Sequence, residues 1–227
     1  MNKIHPTAIV SNKAQLGNNI TIGPFTVVHD NVTIEDNCSI ASHVVIYDGA
    51  RIEKNVQIFQ GGSISNQPQD LKFKDEKSEF IIGENTIIRE FATLHRGTID
   101  KGFSKIGKNC LLMAYTHVAH DCIIGDNCII ANAVQIGGHV VIEDWVIIGG
   151  VTPVHQFVKI GQHTMVGGGF RDSLLSCLLS IPVYSITSAI NVITHISSQK
   201  RDSLFSGLPG KAKQRVKYNV AISTTGV

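Results

Sequence analysis

The sequence predicts an all-β fold, a left-handed parallel β-helix built from hexapeptide repeats. Counted in steps of six from Ile4, 25 of the 28 positions up to Val166 are Ile, Val or Leu. Aromatic residues make up only 6% of the chain, so the core must come from β-branched aliphatic side chains, which favour strands. A period of six fits neither a helix nor a plain amphipathic strand. It fits short strands that turn a corner every six residues.

The same repeat predicts the dimensions of the solenoid. Three strands and three corners give a coil of roughly 18 residues, so residues 18 apart should lie one above the other. The aliphatic side chains then point inward, and backbone N–H and C=O groups pair between successive coils.

The repeat defines the predicted domains. We expect a solenoid over residues 1–171, interrupted by two polar stretches, 65–79 and 98–105, that leave it as loops. After Arg171 the period disappears. Residues 172–227 are rich in serine and include a basic run, so they are predicted to form an atypical C-terminal segment.

Composition narrows the class of protein. A net charge of +2 gives no general case for nucleic acid binding. No run approaches the 18 apolar residues of a membrane helix, and the first residues lack the apolar region of a signal peptide, which predicts a cytoplasmic protein without stable membrane insertion. Four of the five cysteines occupy the small position of the repeat and are interpreted as core residues: Cys38, Cys110, Cys122 and Cys128.

Polar residues cluster where the repeat would otherwise be apolar. His117, His120 and Asp121 lie within the aliphatic and small residues of 111–122. The 18-residue spacing predicts further neighbours one and two coils on. It places His120 under Gly138, Asp121 under His139, and Gly137 under His155, with Gln156 beside them.

This cluster has the residue types of an acyl-transfer site. A histidine beside an aspartate can be oriented and kept basic, as a general base requires. A corner glycine leaves its N–H open to a developing oxyanion. A second interpretation is solvated surface histidines, and a third is zinc held between subunits. His117 and His120 lie on different sides of a corner, so we predict no metal and no cofactor.

At these residues the sequence resembles the UDP-N-acetylglucosamine 3-O-acyltransferases, which begin lipid A biosynthesis. The resemblance covers residues 4–171, and five segments carry it. They are residues 66–72 (Asn-Gln-Pro-Gln-Asp-Leu-Lys), 94–98 (Leu-His-Arg-Gly-Thr), 116–122 (Thr-His-Val-Ala-His-Asp-Cys), 137–139 (Gly-Gly-His) and 154–157 (Val-His-Gln-Phe).

The resemblance implies a homotrimer with active sites between subunits, an acyl carrier protein as acyl donor and UDP-N-acetylglucosamine as acceptor. It implies that His120 is the catalytic base, that Asp121 is its neighbour, and that Gly138 is the oxyanion donor. Gly168 matches a position that limits the acyl pocket. The remaining positions match substrate contacts: Asp70, Lys72, His117, His139, His155 and Gln156.

Three alternatives stay open. The chain could be an acetyl-CoA-dependent hexapeptide acetyltransferase, or a zinc-dependent hydratase. It could also be a solenoid that folds but is catalytically impaired, because residues 172–227 do not match the helical nucleotide-binding domain of that family.

Overall fold

The computed structural model describes residues 1–169, and these form 25 short strands, numbered β1 to β25 in chain order. The strands belong to three parallel sheets that each take every third strand. This confirms the predicted β-helix. The predicted C-terminal segment, 172–227, lies outside the described residues. Within the described part, no helix has the length and hydropathy needed to span a bilayer.

The first sheet contains β1 (Lys3–Ile4), β4 (Thr21–Ile22), β7 (Ser39–Ile40), β10 (Gln57–Ile58), β13 (Ile87–Ile88), β16 (Leu111–Leu112), β19 (Ile129–Ile130), β22 (Ile147–Ile148) and β25 (Met165–Val166). The second contains β2 (Ile9–Val10), β5 (Val27–Val28), β8 (Val45–Ile46), β11 (Ser63–Asn66), β14 (Thr93–His95), β17 (His117–Val118), β20 (Gln135–Ile136) and β23 (Pro153–Val154). The third contains β3 (Gln15–Leu16), β6 (Thr33–Ile34), β9 (Ala50–Ile52), β12 (Glu79–Ile82), β15 (Phe103–Ile106), β18 (Ile123–Ile124), β21 (Val141–Ile142) and β24 (Lys159–Ile160).

Strand pairing follows the predicted 18-residue register. Ile4 pairs with Ile22, and the same spacing holds in every coil before the first loop. Across the loops the partners lie further apart in sequence, Ile58 with Ile88 and then Ile88 with Leu112. The aliphatic ladder continues through both interruptions, because the loops leave the stack without shifting the inward faces.

The first loop is shorter than the sequence predicts, and the second lies two to three residues earlier in the chain. Strand β11 extends through Asn66, β12 starts at Glu79, and β15 starts at Phe103, so the loops are residues 67–78 and 96–102. Polar residues at the loop edges join the sheets because pairing uses the backbone, whatever the side chain. Asn66, for example, pairs with His95, whereas Ser65 forms a β-bulge whose buried hydroxyl donates to the Asp48 carbonyl at 2.9 Å.

One corner of the solenoid is an asparagine ladder. These asparagines have a positive φ, a conformation that asparagine tolerates better than most residues. Their side-chain amides bond from coil to coil, as from Asn85 Nδ2 to Asn109 Oδ1 at 3.0 Å. The ladder consists of Asn19, Asn37, Asn55, Asn85, Asn109 and Asn127.

The interior is a single column of aliphatic side chains. The inward residues of the central coils, such as Ile64 and Ile130, have no solvent exposure. The four repeat cysteines are buried free thiols, which confirms their assignment to the core. Burial raises the pKa of the Cys38 thiol to about 11 and that of Cys122 to about 12, so both stay protonated at neutral pH.

Candidate active site

The corner between β17 and β18 carries the histidine–aspartate pair. Asp121 takes the left-handed conformation, with a φ of 58°. Its side chain turns back so that Oδ2 lies 2.8 Å from His120 Nδ1. Asp121 is fully buried and His120 is 8% exposed. The carboxylate is therefore sealed from solvent, and only a small part of the imidazole is exposed.

The Asp121 carboxylate is kept ionised despite its burial. Burial would raise its pKa, but hydrogen bonds from His120 and from both the hydroxyl and the N–H of Thr98 outweigh it and hold the pKa below its usual value. An ionised carboxylate can only accept hydrogen bonds, so His120 Nδ1 must carry the proton. Its Nε2 is then a free acceptor, which is the tautomer of a general base.

Gly138 lies one coil on, against the face of this imidazole. A Cβ at Gly138 would lie 2.8 Å from both Cε1 and Nε2 of His120, closer than atoms can pack. The corners are joined by the His139 N–H, which donates to the His120 carbonyl at 3.1 Å. Among residues 1–169, the Gly138 N–H has no hydrogen-bond acceptor in the protein, so it is available as a donor to a ligand. The predicted stacking of His120 on Gly138 is confirmed.

His139, next to Gly138 in the chain, also contacts the His120 ring. Its ring meets the His120 ring edge-on at 5.1 Å, and its Nε2 lies 3.9 Å from Asp121 Oδ2 and 3.8 Å from Asp100 Oδ2. On the other side, the ring stacks on Phe157 of the following coil at 4.7 Å. Phe157 is not among the predicted site residues. Its contact with His139 could have been predicted, because it lies 18 residues, or one coil, after His139.

His120, Asp121 and His139 are also where a metal would find ligand atoms, since one from each lies within 4.8 Å of the others. The geometry fits hydrogen bonding within the protein better. Asp121 already accepts three hydrogen bonds, and His120 Nδ1 is taken up by one of them.

A pair of neutral histidines lies beside this corner. His117, in β17, has its Nδ1 2.8 Å from the Thr93 hydroxyl, and its ring meets His95 edge-on at 4.9 Å. Burial, with the neighbouring His117 as the next cause, lowers the pKa of His95 to about 4. Burial also lowers the pKa of His117. His95 is within electrostatic range of His120 as well, and it was missed as a candidate although it lies in the 94–98 segment.

His155 and Gln156 lie on the same corner, two coils from His120. The Gln156 N–H is 2.9 Å from the position of a Cβ on Gly137, so this backbone covers the glycine pair. His155 Nδ1 contacts the Gln156 carbonyl at 3.1 Å, and both side chains are exposed. The predicted placement of both residues above Gly137 and Gly138 therefore agrees with the structure.

Three predicted site residues form no hydrogen bond to this corner within the described part of the chain. Asp70 and Lys72 belong to the 67–78 loop, where Asp70 Oδ1 accepts the Lys72 N–H at 3.0 Å. Among the described residues, neither side chain bonds to His120, Asp121 or His139. Gly168 stacks on Gly150, at a different corner.

Comparison with known proteins places this geometry in a family. The model for "Bacterial transferase hexapeptide (six repeats)" matches residues 13–48 and 103–138. The structure of LpxA from Acinetobacter baumannii aligns with a TM-score of 0.72 and 36% identity over 88% of this chain and 92% of that one. The Francisella novicida UDP-N-acetylglucosamine acyltransferase aligns with a TM-score of 0.70 and 32% identity over 87% of each chain. The chain belongs to the UDP-N-acetylglucosamine acyltransferase family.

Membership of the UDP-N-acetylglucosamine acyltransferase family confirms the resemblance found in the sequence. A curated relative from Sulfurihydrogenibium sp., the acyl-[acyl-carrier-protein]–UDP-N-acetylglucosamine O-acyltransferase, is 68% identical over 98 residues. That alignment spans 43% of this chain and 36% of the relative. The sequence match to curated members of the acyltransferase family thus covers well under half of their length.

Proposed function

We propose that this protein transfers a 3-hydroxyacyl group from acyl carrier protein to the 3-hydroxyl of UDP-N-acetylglucosamine, the first step of lipid A biosynthesis. The observation that carries the proposal is the state of His120. Its Nδ1–H is fixed by a buried carboxylate, and its ring lies against Gly138, whose N–H has no acceptor among residues 1–169. A base and an oxyanion donor side by side are what acyl transfer to a hydroxyl requires.

The reaction follows from these two groups. His120 Nε2 takes the proton of the sugar hydroxyl as its oxygen attacks the thioester carbonyl carbon. The Gly138 N–H donates to the oxyanion that develops there. When the tetrahedral intermediate collapses, the carbon–sulfur bond breaks, and the carrier thiolate takes the proton back from His120. Asp121 stabilises the imidazolium that exists between the two proton transfers.

The acceptor and donor would extend along the same corner. We assign substrate contacts to His117, His139, His155 and Gln156. Asp70, Lys72 and Gly168 lie elsewhere in the chain, so we assign their contacts to a site completed by a neighbouring subunit of a homotrimer, with Gly168 limiting the acyl pocket. The names of the relatives, which pair an acyl carrier protein with UDP-N-acetylglucosamine, support these two substrates.

The test is an assay of the purified chain with 3-hydroxyacyl carrier protein and UDP-N-acetylglucosamine, with the acylated sugar nucleotide detected by mass spectrometry. His120→Ala should lower kcat on the order of 10²–10⁴-fold. His29→Ala, whose ring packs on Tyr47 in the N-terminal coils, is the matched control. Near-normal turnover of His120→Ala would remove the base from the mechanism.

Two further measurements separate the alternatives. Turnover with acetyl-CoA, and none with the carrier thioester, would favour a hexapeptide acetyltransferase. Calorimetric titration with UDP-N-acetylglucosamine tests whether the chain binds the nucleotide. A folded chain without measurable binding would favour the catalytically impaired solenoid.

A further inference from the structure

Asp121 is hydrogen-bonded by residues that lie outside the hexapeptide repeat. The Thr98 N–H donates to Oδ1 at 2.9 Å, and the Thr98 hydroxyl donates to Oδ2 at 2.7 Å. Lys101 Nζ donates to the Asp121 carbonyl at 2.8 Å. These three contacts all come from the 96–102 loop, and Thr98 is itself buried.

The loop is anchored so that Thr98 has little freedom. The Gly102 N–H closes a tight turn by donating to the Thr98 carbonyl at 2.7 Å. The Ile99 N–H donates to Glu76 Oε1 at 3.1 Å, which ties this loop to the 67–78 loop. The Asp100 N–H approaches the Thr98 hydroxyl oxygen at 3.3 Å, so that oxygen accepts there and directs its own hydrogen towards Asp121.

Thr98 and His120 share one hydrogen-bond acceptor. Both donate to Asp121 Oδ2, the hydroxyl at 2.7 Å and the imidazole at 2.8 Å. Since the carboxylate is fully buried, water cannot replace a missing donor. Without the hydroxyl, the charge would be less well stabilised and the carboxylate could rotate about the remaining N–H bond. The ring of His120 would then lose its fixed partner.

We propose that Thr98 is a positioning residue for acyl transfer, which acts by clamping Asp121 so that His120 keeps its proton on Nδ1 and its lone pair on Nε2. This inference rests on the proposed function, because it assigns Thr98 a part in that same site. It also assigns a role to the 96–102 loop, because this loop places the Thr98 donors at the Asp121 carboxylate, and Thr98 lies outside the repeat.

Kinetics of three variants test the clamp. Thr98→Val keeps the size of the side chain and the N–H bond but removes the hydroxyl, so kcat should fall about tenfold to a hundredfold, the effect of losing one hydrogen bond to a charged group. The KM values for both substrates should change less than about threefold. Thr98→Ser should restore kcat, and Thr98→Ala should behave like the valine variant.

Thr86→Val is the matched control. It removes a buried threonine hydroxyl that donates to the Gly107 carbonyl at 2.8 Å, at a corner away from His120. If its kcat fell as far as that of Thr98→Val, general loosening of the solenoid would explain the effect and the positioning role would be wrong.

A spectroscopic measurement tests the clamp without turnover. In the full chain labelled with ¹⁵N-histidine, the nitrogen shifts of His120, assigned with His120→Gln, should show one tautomer protonated at Nδ1. Thr98→Val should show a mixture of tautomers, and Thr98→Ser should show the single tautomer again. An unchanged tautomer or an unchanged kcat in Thr98→Val overturns the inference. If the wild-type chain transfers no acyl group, the proposed function fails, while the tautomer result still decides whether Thr98 clamps the pair.

Discussion

The substitution Gly138→Ala adds one methyl group against the face of the His120 ring. That methyl would lie 2.8 Å from both Cε1 and Nε2, whereas ordinary contacts begin at 3.4 Å, so the imidazole must retreat by about 0.6 Å. Such a shift moves Nε2 out of place and bends the 2.8 Å hydrogen bond from Nδ1 to Asp121. A displacement of this size at a reacting group costs roughly 10²-fold in rate. We therefore expect kcat to fall about a hundredfold.

The measurement is the acyl-transfer assay, with kcat and KM determined separately for Gly138→Ala and for Gly161→Ala. Gly161 offers the matched control because its nearest neighbour, Glu143 Oε2, would be 4.0 Å from a new methyl. The reasoning requires the loss in kcat at Gly138 and wild-type values at Gly161. If Gly138→Ala kept kcat within about threefold of wild type, the close approach of His120 to this glycine would have no catalytic meaning.

Three further predictions concern stability and reactivity. His95 has a pKa of about 4, against 6.5 ordinarily, so the unfolded chain binds a proton first and the free energy of unfolding falls as pH drops from 6.5 to 4, by about 1.4 kcal/mol per unit. Urea unfolding at several pH values should show this slope reduced in His95→Gln. Ile148→Ala, in the core, should lower the free energy of unfolding by about 2–5 kcal/mol, whereas Ile147→Ala, on the exposed side of the same strand, should change it by less than about 1 kcal/mol; thermal and urea melts compare them. Cys38 and Cys122 should resist iodoacetamide at pH 8 until urea unfolds the chain, because their thiols stay protonated and buried; peptide mass spectrometry reads the labelling, and rapid modification of the native chain would contradict their place in the core.

The solenoid and the central corner could be predicted because the chain repeats itself. Once the aliphatic period is recognised, the 18-residue coil follows, and with it the stacking of His120 on Gly138 and of Asp121 beneath His139. From β15 onwards the register has no interruption, so counting along the sequence is equivalent to moving up the solenoid.

The loops could not be predicted in the same way. Thr98 lies where the repeat is broken, and its bonds to Asp121 depend on how the insertion folds back, which no period encodes. Polarity marks where an inward face ends but does not show where backbone pairing stops, so the predicted bounds of the first loop were too wide and those of the second were too late in the chain. Gly168 was expected in the site through a resemblance, and within one chain it lies on another corner, above Gly150.

The rings of His120, His139 and Phe157 contact one another across three successive coils, so the catalytic pair depends on a coil that carries neither of its two residues. Each coil of a solenoid contacts only its neighbours, so the coil containing Phe157 can open while those before it stay paired. The inward residues of this coil are more exposed to solvent than those of the central coils: Val154 is 8% and Ile160 is 6% exposed, against 0% for Ile130. The fraction of molecules in which the catalytic corner is intact therefore depends on a local opening free energy. Amide hydrogen exchange in β23 and β24 would therefore report how often the contacts to the catalytic corner are broken, which a global melting temperature does not measure.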